Sequence, residues 1–196
     1  MHRTCTTYLQ IKNNSGHLLS AQYPAGYNVF PVEDAHEAVN ISLQMALYSI
    51  DDMNERDQML TTNCEIITKW RDIFLTWDPQ TYNNITDTRL PWNKVWTPDI
   101  VLYNSAGDGE QGREMRTLIQ VDYQGNVTLL TQGIYMTKCQ IDVSHYPFDP
   151  QRCSLKFASW TTERTRLNMS IGKLAYIFYK LHVLYMPFSC MMTNHF

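Results

Sequence analysis

The chain has no pair of histidines at metal-ligand spacing among its six, no CxxC, no GxSxG and no glycine-rich phosphate loop. These absences remove the residues that metal, dithiol, serine-hydrolase and nucleotide chemistry need, so the reading is of a protein that is no enzyme and holds no metal or cofactor. Charge of one sign is also lacking. Sixteen Lys and Arg against nineteen Asp and Glu leave a net charge of −3, which supplies no general attraction for nucleic acid. The acidic stretch DDMNERD, beginning at Asp51, lacks the sixth-position glycine and twelfth-position glutamate of a calcium loop. It reads as a solvated turn.

Long apolar runs are missing at both ends. MHRTCTTYLQIKNNSG contains nothing of the length a signal peptide needs, so export has to be inferred from other features. Residues 173–196 are apolar and aromatic, but Lys180, His182 and Pro187 interrupt them before the ~20 residues of a membrane-spanning helix are reached.

What is present is strand chemistry: twelve Tyr, seven Phe and five Trp lie among segments rich in Thr, Val and Ile. In VNISLQMALYS, Val39, Ile41, Leu43, Met45 and Leu47 share one parity and Asn40, Ser42 and Gln44 the other, the period-two pattern of a half-buried strand. IDDMNERDQ then reads as a polar turn and residues 61–77 as the returning strand of a hairpin. A second antiparallel pair is expected around Gln124-Gly125-Asn126, with Ile119, Val121 and Tyr123 on one face before the turn, and Val127, Leu129, Tyr135, Cys139, Ile141 and Val143 after it. SLKFASW alternates again, Leu155 and Phe157 against Lys156 and Ala158. Many short strands with turns every 8 to 12 residues predict an all-β chain, a sandwich of about one domain.

Five Asn-x-Ser/Thr sequons occur, at Asn13, Asn40, Asn84, Asn126 and Asn168, and these accept glycans only in a chain that enters the secretory pathway. Compartment governs the five cysteines in the same way. Cys139 and Cys153 enclose thirteen residues, CQIDVSHYPFDPQRC, and both flanks alternate as strands. A tie across them closes a loop of about 15 residues and contributes roughly 3 kcal/mol. A staple does not explain why Tyr146, Pro147 and Phe148 sit on a loop, since such groups need a partner surface.

CQIDVSHYPFDPQRC resembles the signature loop of the Cys-loop receptors, the pentameric ligand-gated ion channels. WRDIFLTWDPQTY at 70–82, WTPDIVLYN at 96–104 and CSLKFASWT at 153–161 are similar, in the same order, to extracellular segments of nicotinic acetylcholine receptor subunits. The resemblance implies a twisted immunoglobulin-like β-sandwich with its C-terminal strands incomplete. It divides the chain into an extension (1–26), a partial ligand-binding domain (27–172) and a divergent tail (173–196). It implies a Cys139–Cys153 disulfide, a cis bond before Pro147, and no assigned partner for Cys5, Cys64 and Cys190. Tyr103 matches the aromatic of the first agonist loop and Trp160 the tryptophan of the second. Such rings hold a cationic amine at ~0.5–2 kcal/mol per contact, although by residue type alone Tyr and Trp in a sandwich are usually core.

The implied ligand is a small cationic neurotransmitter such as acetylcholine; the implied partners are other subunits of a pentamer, and the membrane through helices not in this sequence. Asn54, Glu55, Arg56 and Asp57 match a coupling loop, and Tyr146, Pro147, Phe148 and Asp149 the tip that meets the membrane domain. There are departures: Glu65 stands where a complementary face commonly has an aromatic, Thr162 and Glu163 replace an aromatic and an aspartate, and the match stops near Gly172. The expectation is therefore an extracellular domain at the plasma-membrane surface, truncated and not conducting alone. A secreted interaction or decoy module is the alternative, and a fragment with a noncoding tail a third reading.

Overall fold

The computed structural model describes residues 7–12, 18–23, 29–34, 36–107, 115–142, 151, 153–163, 165–171 and 175–176. Asn13, the tip Tyr146, Pro147, Phe148 and Asp149, and with them the peptide bond before Pro147, lie outside the described residues.

Twelve strands follow in order: β1 (Thr7–Lys12), β2 (Leu18–Tyr23), β3 (Val39–Asn54), β4 (Met59–Thr76), β5 (Asp87–Leu90), β6 (Ile100–Leu102), β7 (Met115–Arg116), β8 (Ile119–Asp122), β9 (Gln124–Lys138), β10 (Phe157–Ser159), β11 (Leu167–Ile171) and β12 (Ala175–Tyr176). Two short 3-10 turns among the described residues, Pro79–Tyr82 and Trp92–Lys94, punctuate them. The chain is all-β, as its composition predicts.

The large sheet runs β11-β3-β4-β9-β8-β5, with β12 alongside β3 and β7 alongside β9. Its spine is the antiparallel trio β3, β4 and β9, and β11 joins β3 in parallel. Alternation sets which face is inside: Val39, Ile41, Leu43 and Met45 are buried while Asn40 is exposed, and on β9 Val127, Leu129 and Tyr135 are buried against exposed Asn126, Ile134 and Met136. Each fully buried aliphatic side chain contributes about 1.5–3 kcal/mol.

The opposing layer is the β6–β10 pair. Its Leu102 and Phe157 point inward, and the Phe157 ring meets Tyr135 of β9 edge-on at 6.1 Å. Trp70 stands edge-on to Trp96 at 6.0 Å, and Trp96 lies 5.4 Å from Phe30. The Trp70 indole N–H is buried with no hydrogen-bond partner.

Two local readings differ from the sequence. The β3 strand continues to Asn54 through a segment whose composition reads as turn, because register shifts between Leu47 and Ser49 and between Ile50 and Asp52 absorb the irregularity. Only residues 55–58 turn. Tyr123 does not continue the inward face of Ile119 and Val121; it is 37% exposed and sits in the β8–β9 turn, where Asp122 Oδ1 accepts from the amides of Gln124 and Asn126. That Asx turn bends the chain one residue earlier than the alternation suggests.

Candidate functional site

The β6–β10 ladder fixes the surroundings of both candidate aromatics. Its register pairs Leu102 with Phe157 and Ile100 with Ser159. One step beyond each end, the Tyr103 amide donates to Lys156 O at 2.7 Å and the Trp160 amide to Asp99 O at 3.1 Å. Since Leu102 and Phe157 face the core, alternation turns Tyr103 and Trp160 to the opposite, outward face. They are 71% and 73% exposed, the largest values among the exposed large hydrophobic side chains. Four residues of strand separate their levels, about 13 Å. The core alternative is thereby excluded for these two rings.

Asp99 holds the Trp160 segment. Its carboxylate accepts from Ser159 Oγ at 2.6 Å, from the Thr161 amide at 2.6 Å, from Thr161 Oγ1 at 2.5 Å and from Thr162 Oγ1 at 3.3 Å. Burial pushes this carboxyl up, but the bonds from Ser159 and Thr161 outweigh it and hold Asp99 below the ordinary value. Asn104 does the same for Tyr103: its Oδ1 accepts from the Lys156 amide at 2.9 Å and its Nδ2 donates to Ser154 O at 2.8 Å. Sequence reasoning singled out neither residue. The signal available was a carboxylate and an amide flanking the aromatic within WTPDIVLYN, groups that can bond backbone when the strand between them is only three residues long.

Glu65 is half-buried on β4, opposite Ala46 and Gln132. It accepts a hydrogen bond from the Tyr48 hydroxyl at 3.1 Å. Burial, then the bond to Glu65 and its charge, raise the Tyr48 phenol above its usual value. Tyr48 is the residue skipped between Leu47 and Ser49 in the ladder, and a bulge of this kind re-aims a side chain that simple alternation places elsewhere. An aromatic ring therefore accompanies Glu65, a neighbour that sequence spacing did not disclose.

At the far end of the sheet, Cys139 and Cys153 form a disulfide. Both sulfur-bearing residues are buried with Leu60, against Met53 and Ile141. The loop entrance is closed by Gln151, whose Nε2 donates to Asp142 O at 2.7 Å and whose Oε1 accepts from the Asp142 amide at 2.9 Å. The Cys139 amide donates to Gln58 O at 2.8 Å. This brings the 55–58 turn, which follows Asn54, against the base of the disulfide loop. Across the turn Asn54 and Asp57 bond each other twice, and Glu55, Arg56 and Asp57 are exposed. Cys64 is a fully buried thiol in the core. Asn40, Asn84, Asn126 and Asn168 are all exposed.

Residues 16–183 match the neurotransmitter-gated ion-channel ligand binding domain family. The chain is 38% identical over 155 residues to the neuronal acetylcholine receptor subunit beta-2 of Rattus norvegicus, covering 78% of this chain and 30% of that protein. It is 41% identical over 155 residues to subunit beta-4 of Gallus gallus, covering 78% and 32%. To subunit alpha-9-I of Oncorhynchus mykiss it is 42% identical over 142 residues, covering 72% and 25%. The chain thus spans about a third or less of the length of these relatives. With an all-β sandwich, a disulfide-closed loop at one end of the sheet and this match along most of its length, the chain belongs to the neurotransmitter-gated ion-channel ligand-binding domains, as a nicotinic-like member of the Cys-loop receptor family.

Proposed function

We propose that this chain is the extracellular neurotransmitter-binding domain of a nicotinic-type channel subunit, that it binds a small cation such as acetylcholine, and that Tyr103 and Trp160 are two walls of the cage. The observation that carries this is the outward exposure of both rings on one short ladder whose backbone is locked by Asp99 and Asn104. Large aromatic surface left in water costs free energy unless a ligand or partner covers it, and ring faces attract a quaternary amine.

In this reading the domain of 27–172 assembles with other subunits into a pentamer, and the turn at Asn54, Glu55, Arg56 and Asp57, together with Tyr146, Pro147, Phe148 and Asp149, faces the membrane part. No helix among the described residues is long and apolar enough to cross a membrane; in this reading the described residues bind the ligand and conduction belongs to membrane helices of the assembled receptor. The test compares acetylcholine with its neutral carbon isostere, 3,3-dimethylbutyl acetate, by calorimetry on the chain co-assembled with a nicotinic partner subunit. The cation should bind at least tenfold tighter than the isostere, and Trp160→Ala should remove that preference while leaving the melting temperature unchanged. Equal affinity for the two compounds, or an unchanged preference in Trp160→Ala, would sink the assignment.

A further inference from the structure

The outward face of the large sheet carries three of the sequon asparagines in one transverse row. Asn168 of β11 is in register with Asn40 of β3, and its Nδ2 donates to Asn40 Oδ1 at 2.9 Å. The β3–β4 ladder ends at the pair Ser42–Lys69; continued by two residues its register sets Asn40 level with Arg71, which is itself paired with Asn126 of β9. Alternation puts each acceptor hydroxyl, Ser42, Thr128 and Ser170, two residues on and on the same face. Asn40, Lys69, Arg71, Asn126 and Ser170 line one shallow groove of about 300 Å³ on this face.

We propose that this row is a glycan-bearing band, and that Asn40 and Asn168 carry a single glycan between them while Asn126 carries its own. The distinction follows from strand spacing. Neighbouring strands lie about 4.8 Å apart, less than the width of an N-acetylglucosamine with its acetamido arm, so two stems rising from Asn40 and Asn168 collide. Asn126 is separated from Asn40 by the whole of β4, twice that spacing, and its stem clears. A sugar on one member of the pair leaves the other member's amide free to keep the bond across β3 and β11, whereas sugars on both push the two strands apart. The band lies at the opposite end of β3 from the 55–58 turn. The bulky hydrophilic groups are thus held away from the disulfide loop.

This inference rests on the extracellular reading, because glycan transfer occurs only in the secretory pathway. The test is a chain secreted from insect cells with Asn13, Asn84 and Asn126 replaced by Gln, so that only the pair can accept sugar, with intact mass read against the wild-type chain. One glycan per molecule is expected. In addition, Asn40→Gln in this background should move occupancy to Asn168, and Asn168→Gln to Asn40. Molecules with two glycans, secreted and folded by thermal melt, would overturn the proposal. So would a bare pair in a chain whose wild type is glycosylated at Asn84. A wild type without sugar at any sequon overturns the extracellular reading instead, and the band with it.

Discussion

The Trp160 ring is positioned by a residue it does not touch through its side chain. Asp99 reaches Ser159, Thr161 and Thr162 at once, so the segment that presents the ring has little freedom to turn it inward. Hydrogen bonds to a charged group contribute about 1.5–3 kcal/mol each when well shielded, and Asp99 is only partly buried, which places the cost of Asp99→Asn nearer 1–2 kcal/mol in total. Its folded value lies below the ordinary 3.8. The stabilisation is therefore complete above that pH and is lost as pH falls through the lower folded value. Thermal melts from pH 7 to pH 2 should show the wild type losing its advantage over Asp99→Asn below about pH 4, with the gap constant above it. A gap that does not narrow at all between pH 4 and pH 2 would mean that the carboxylate is not the group responsible. By contrast Trp160→Ala, at an exposed position, should stay within about 0.5 kcal/mol of wild type.

Between residues and fold stand the turns, and two of them can be broken on purpose. Gly125 has φ +83°, and a β-carbon there would lie 2.3 Å from Asp72 O. It sits where β4 loses register between Arg71 and Thr76 and folds over the β8–β9 turn. Gly125→Ala combines a left-handed backbone with a backbone clash and should cost about 3 kcal/mol, measured by urea unfolding; a change below 1 kcal/mol would show that the turn relaxes freely. The disulfide is the second case. Replacing Cys139 and Cys153 together by Ser should cost roughly 3 kcal/mol, read in the same way, with the larger chemical-shift changes confined to Leu60, Met53 and Ile141. These elements were legible in the sequence to different degrees. The alternation of 39–47 and of 127–139 gave their faces directly, because one side of a strand pays for solvent exposure and the other does not. The extension of β3 to Asn54, the bulge at Tyr48 and the Asx turn at Asp122 were not legible, since each depends on register against a distant strand rather than on local pattern. For the same reason Tyr103 and Trp160 could be marked as candidates by resemblance, but the Asp99 and Asn104 bonds that orient their backbone could not.

At the scale of the whole molecule, one chain offers two exposed rings, Tyr103 and Trp160, to the proposed cage. Two cation–π contacts sum to about 1–4 kcal/mol, and a millimolar dissociation constant already corresponds to about 4.1 kcal/mol. The isolated chain should therefore bind acetylcholine no more tightly than about 1 mM by calorimetry, and gain affinity only when a neighbouring subunit closes the cage. Submicromolar binding by the isolated chain would contradict this. The large sheet, opposite the β6–β10 pair beside which those rings stand, is completed across a long stretch of sequence: β11 docks in parallel on β3, joining residues 128 apart, as Asn168 does to Asn40. A ribosome adding about 5–20 residues per second takes roughly 6–25 s to make that stretch. Throughout this interval β3 has β4 on one side and an open row of backbone donors and acceptors on the other, the arrangement most prone to pairing with another nascent chain. Synthesis, rather than the finished fold, is when this protein is most in need of a chaperone.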